Sequence, residues 1–130
     1  MNTARIIFKS AGIVGIIVLL PQYFMEQRLG EDYPPPITHV HNFYGFVGVA
    51  LAWQVAFLII ARDPVRLRPI MIPALLEKLS FGLAAIVLFM QQRLPGIVLF
   101  FGVVDLVWCG LFVWAYVLTG ENRAATGDGA

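Results

Sequence analysis

Four apolar stretches, each close to the ~20 residues a helix needs to cross ~30 Å of hydrocarbon, constrain this chain more than anything else in it. They run from Ile6 to Phe24, from His41 to Ala61, from Ile70 to Gln91 and from Gly96 to Thr119. Hydrophobic residues make up 59% of the 130 and charged ones 13%, with a mean hydropathy of +0.80. One soluble core of this size cannot hide that much apolar surface, so the setting is a lipid bilayer.

The first stretch carries the weakest signal. Lys9 and Ser10 leave an uninterrupted apolar run only from Ala11 to Leu20, a length that signal peptides share. No small-x-small cleavage pattern follows Pro21, so the segment is read as retained, with Lys9 snorkelling to the near surface. The expected fold is all-α: residues 1–119 form one antiparallel bundle of four transmembrane helices, because the connections are too short for anything but neighbouring, oppositely directed helices. The run Pro34-Pro35-Pro36 favours an extended polyproline segment in the longest connection. Asp63-Pro64 reads as a capped interfacial turn reaching Leu67, and Pro73 belongs to the first turn of the third helix or kinks it. Residues 120–130, small and polar, are expected to be a disordered tail.

Basic residues set the orientation. Arg5, Lys9, Arg62, Arg66, Arg68 and Arg123 fall at one set of segment ends, while Arg28 and Arg93 fall at the other, beside Glu26, Glu31 and Asp32. The positive-inside rule then places both termini in the cytoplasm, in a multi-pass protein of the cell inner (plasma) membrane. No continuous basic face exists for nucleic acid, and the single cysteine, Cys109, excludes an intramolecular disulfide. Gly45, Gly48, Ala52 and Ala56 mark a small-residue stripe on the second stretch, expected to pack within the bundle, with a homo-oligomer or larger membrane complex as the other use.

Three ionisable residues interrupt the apolar pattern: Glu77, Lys78 and Asp105. Counting ~1.5 Å per residue, Glu77, Lys78 and Gln54 lie ~10 Å from the cytoplasmic ends of their helices, with Asp105 nearer the midplane. The four are expected to form one buried polar layer. A Lys78–Asp105 ion pair offsets the cost of burial, and Glu77 is either neutral or hydrogen-bonded to Gln54. The preferred reading is a neutralised clamp in a non-enzymatic accessory or structural bundle. The competing one makes Glu77, Lys78 and Asp105 the acid, base or binding groups of an intramembrane enzyme or transporter for a lipid-like substrate.

His39 and His41, near the loop carboxylates, are the candidate metal ligands, but His-x-His alone is too short a pattern to predict a metal. Both histidines lie at one helix end, so no haem is expected, and no other cofactor signature is present. The segment FYGFVGVALAWQVAFLIIARDP, followed by LLEKLSFGLA and FGVVDLVW, resembles small bacterial four-helix membrane proteins with a layout similar to DoxX-like families. The resemblance covers residues 43 to 108 and implies an inner-membrane bundle without an assigned activity. It transfers no site residue.

Overall fold

A computed structural model describes residues 2–126, and the elements are helical. The five α-helices are α1 (Asn2–Leu19), α2 (Glu26–Asp32), α3 (Val40–Arg62), α4 (Met71–Met90) and α5 (Gly96–Thr126). Four helical segments are long and apolar enough to cross a membrane: Thr3–Phe24, Val40–Arg62, Arg68–Met90 and Gly96–Glu121. Their surfaces suit lipid. Ile17 is 68% exposed, Val49 63% and Val107 60%, whereas the polar side chains of Gln54 and Lys78 are buried.

Proline and glutamine shape the helix ends. Pro21 has no N–H to continue the α-helical ladder, and Leu20–Phe24 tightens into a 3-10 turn. Asp63 ends α3 and caps the next turn, accepting the Arg66 N–H on Oδ1 at 3.3 Å, and Leu67 N–H bonds to its carbonyl at 3.0 Å. Pro73 lies in the first turn of α4. At the far end of α4, Gln92 adopts φ 59°, Arg93 N–H reaches Leu88 O at 2.9 Å, and Gln92 N–H reaches Phe89 O at 2.9 Å. This is the paired-bond termination that usually places glycine at the left-handed position.

Two connections differ from expectation. The longest contains α2, since the sequence EQRLGED offers Glu, Gln, Arg and Leu as helix formers before the first proline, and only Met25 and residues 33–39 lack helix. The tail expected from residue 120 is instead helical through Thr126. Glu121, Ala124 and Ala125 favour helix. Gly120 gives the room needed at its start, because a Cβ there would come within 2.7 Å of Arg68 Nη2. Arg68 stacks on the Tyr116 ring at 3.6 Å and donates from Nε to Tyr116 O at 2.9 Å, tying the turn before α4 to α5. The remaining tail residues, 127–130, lie outside the described residues.

The helices pack as two tight pairs. Between α1 with its following turn and α3, Arg5 meets Arg62 while Tyr23 stacks on Tyr44 at 6.0 Å, so contacts run in opposite numerical order. In α4 and α5, Met71 meets Thr119, Lys78 meets Asp105, and Gly82 lies against Gly102, in the same opposed order. The pairs join through an apolar core near the arginine-rich end. Phe8 stacks on Phe112 at 4.3 Å, Phe57 meets Phe112 edge-on at 5.0 Å, and Ile60, Met71, Ala74 and Ala115 are among the residues packed with them. Away from this core, α3 and α4 approach through Phe46 and Phe81, whose ring centroids are 6.2 Å apart. A gap lies between those helices, and the candidate site occupies it.

The small-residue stripe on α3 is not the packing seam it was expected to be. Nothing stands within 4 Å of a Cβ placed on Gly45, and Ala52 is exposed; Gly48 meets the Tyr23 hydroxyl, and Ala56 is half-buried. Close approach occurs instead at other glycines: Gly82 and Gly102 leave no space for a Cβ beside Leu106 and Ala85 between α4 and α5, and Gly12 leaves none beside Leu58 and the Gln54 carbonyl between α1 and α3.

Candidate functional site

Lys78 is the centre of the buried charge. Residues Lys78, Gly82 and Ala85 lie on the face of α4 turned toward α5, and the ammonium extends between two carboxylates. Nζ is 3.4 Å from Asp105 Oδ1, 3.8 Å from Glu77 Oε2 and 5.3 Å from the centroid of Phe57. The lysine side chain is 8% exposed, against 20% for Asp105 and 21% for Glu77. Such burial favours pairing, since a lone charge at a helix centre costs about 2.5–3.5 kcal/mol on insertion scales.

Gln54 does not join this group. Its Nε2 donates to Ala50 O at 2.8 Å, its Oε1 is buried without a partner among the described residues, and the amide packs against Gly15 of α1. The expected four-residue layer therefore separates into a charged trio at the α4–α5 seam and a neutral amide at the α1–α3 seam. Similar depth along two helices does not imply a common direction around them. The Glu77–Gln54 hydrogen bond is likewise not formed: Glu77 Oε2 has no hydrogen-bond partner among the described residues.

The three charges do not cancel. With both carboxylates ionised the trio carries one positive and two negative charges, so one negative charge stands without a cation of its own. Glu77 is the farther of the two carboxylates from the ammonium. It shares its face with Ser80 and Ala84, and that face points away from the bundle interior, with Ser80 and Ala84 exposed. It was expected to face inward.

That face of α4 and a stripe of α3 line an open groove of about 530 Å³. His41, Asn42, Gly45, Phe46, Val49 and Trp53 contribute from α3, and Glu77, Ser80 and Phe81 from α4. Lining residues from 41 to 53 extend the groove over ~18 Å of helix length. Ser80 donates its hydroxyl hydrogen to Glu77 O at 3.0 Å, which leaves the Oγ lone pairs free to accept from a guest. Phe46, Trp53 and Phe81 with one carboxylate, one hydroxyl and, at the far end, the His41 imidazole and Asn42 amide make a largely apolar groove with a few polar groups, the usual composition of a small-molecule site.

Of this lining, the sequence singled out Glu77, His41 at the interface and, as part of the small-residue stripe, Gly45. Trp53, Phe46 and Phe81 were missed. Their spacing is legible on α3, where Asn42, Phe46, Val49 and Trp53 follow helical periodicity, but lipid-facing and cavity-facing aromatic residues look alike in sequence.

The interfacial histidines lie with their ring centroids 6.2 Å apart, and His39 Nδ1 shares a 3.1 Å hydrogen bond with Thr38 Oγ1. Glu26, the first of the nearby loop acids, accepts from the Tyr44 hydroxyl at 2.8 Å. No group of three or more His, Cys, Asp or Glu suited to hold a metal ion occurs among the described residues. Cys109 donates weakly to Leu75 O at 3.7 Å across the α4–α5 seam. Comparison with protein-family models, with curated proteins and with solved structures finds no match to this chain.

Proposed function

We propose that this chain is a multi-pass protein of the cell inner membrane that binds, and by that binding carries or presents, an apolar molecule with a cationic or hydrogen-bond-donating end. In this reading the four long helices are antiparallel and both termini are cytoplasmic. The opposed order of contacts within each helix pair supports the first point, and the gathering of Arg5, Arg62 and Arg68 at one end supports the second. The observation that carries the function is the cavity beside Glu77, which the Lys78–Asp105 pair does not fill. A structural clamp needs no such space, and it would be built with balanced charge.

Glu77 receives the polar end of the guest, and Ser80 supplies a second acceptor. Phe46, Val49, Trp53 and Phe81 cover its apolar body. Aromatic faces also attract a cation directly. The guest enters from the bilayer, since α3 and α4 alone form the lining.

The test uses two ions of nearly equal size and opposite charge. Purified protein in lipid nanodiscs is dialysed against radiolabelled tetraphenylphosphonium or tetraphenylborate, with protein-free nanodiscs as the partition blank. Wild type binds the phosphonium saturably and the borate at the blank level. Glu77→Gln weakens phosphonium binding by about tenfold to a hundredfold, the range for losing an interaction with a charged group. Gly45→Trp, whose new side chain occupies open space in the cavity, abolishes it. Undiminished binding by the Gly45→Trp protein would refute the site.

A further inference from the structure

A second cavity lies at the arginine-rich end, between α1 and α3. Arg5, Lys9, Leu58, Ala61 and Arg62 line it, and it holds about 420 Å³. Arg5 and Lys9 are one turn apart on α1, and Arg5 donates from Nη2 to the Arg62 carbonyl at 3.4 Å, which holds the two helices together at this point. The side of this pocket is cationic and its floor is apolar. Leu58, part of that floor, is seated against Gly12, where a Cβ would come within 2.8 Å of it.

None of Arg5, Lys9 and Arg62 forms an ion pair among the described residues. Asp63, the adjacent acid, is already paired with Arg66 at 3.2 Å. Three clustered like charges at the edge of a low-dielectric slab repel one another, and an anion between them relieves this. The same stripe of α1 shows what kind of anion. Arg5, Lys9, Ile13 and Ile17 recur every four residues, and the two isoleucines are 44% and 68% exposed. Cations followed by exposed apolar side chains along one line match a phosphate headgroup followed by its acyl chain. A free phosphate would use only the first half of that line.

We infer that the pocket formed by Arg5, Lys9 and Arg62 binds an anionic phospholipid, with the headgroup phosphate between the three cations and an acyl chain along Ile13 and Ile17. This inference is independent of the cavity beside Glu77. It gives the chain a lipid dependence located at one membrane surface.

Native mass spectrometry of the full chain in a neutral detergent tests it, with phosphatidylglycerol or phosphatidylcholine of matched acyl chains added in turn. Wild type keeps one phosphatidylglycerol after phosphatidylcholine has dissociated. Each basic residue near a membrane surface contributes about 1 kcal/mol toward an anionic lipid, so Lys9→Gln weakens retention about fivefold and the triple Arg5→Gln, Lys9→Gln, Arg62→Gln variant about a hundredfold. Arg66→Gln, which removes a nearby charge already paired, leaves retention as in wild type. Lys9 is exposed, so its single variant reports even if the triple variant fails to fold. Equal retention of the two lipids overturns the inference. So does a loss in Arg66→Gln equal to that in Lys9→Gln, and so does displacement of the lipid by millimolar inorganic phosphate.

Discussion

Removing the Lys78 ammonium should destabilise the protein more than removing the whole ion pair. In Lys78→Met the side-chain volume is nearly kept, but Asp105 and Glu77 lose the cation that stands 3.4 Å and 3.8 Å from them. Breaking a buried pair from one side costs about 3–5 kcal/mol. Both carboxylates keep about a fifth of their exposure, which lets water offset part of the loss, so the cost falls below that range, at about 2–3 kcal/mol. The double variant Lys78→Met, Asp105→Leu removes both partners and restores apolar packing at the α4–α5 seam, leaving Glu77 to the cavity. Its stability should fall within about 1 kcal/mol of wild type or above it. Equilibrium unfolding in mixed micelles, followed by tryptophan fluorescence, measures both. The reasoning fails if Lys78→Met is as stable as wild type, or if the double variant is as unstable as the single one.

Three further substitutions test the packing. Gln92→Gly should raise stability by up to about 1 kcal/mol, because glycine relieves the left-handed backbone at φ 59° while losing more entropy on folding; the same unfolding assay reads it. Arg68→Ala removes both the stack on Tyr116 and the hydrogen bond to its carbonyl, and should cost about 1–2 kcal/mol while increasing proteolysis of the segment after Tyr116. Gln54→Met replaces a buried amide whose Oε1 has no partner among the described residues, and should leave thermal stability unchanged or raise it by about 1 kcal/mol.

The helices were legible because crossing a bilayer requires a run of apolar residues, and each of the four long helical segments carries one. The Lys78–Asp105 contact was also legible: two opposite charges at reachable depths have few other partners in hydrocarbon. Direction around a helix was harder to read. A face toward lipid and a face toward a neighbour are equally apolar, so Gly45 and Ala52 suggested a seam, whereas Gly45 borders the cavity and Ala52 is exposed. Gln54 illustrates the same point, being at the expected depth but turned toward Gly15. The helix at Glu26–Asp32 was obscured by Gly30 and the following prolines, although its residues favour helix individually. Arg68, which packs against Gly120 where the extension of α5 begins, is distant from it in sequence.

The central claim, that the space beside Glu77 exists to hold an apolar guest, can be tested without choosing a probe. Wild type and Gly45→Trp are extracted directly into native-lipid particles, and each intact assembly is weighed by mass spectrometry. The account predicts one additional small apolar molecule on wild type that is missing from Gly45→Trp, with bulk lipid the same in both. Wild type at the mass of the bare chain, or the same molecule retained by both proteins, would contradict it.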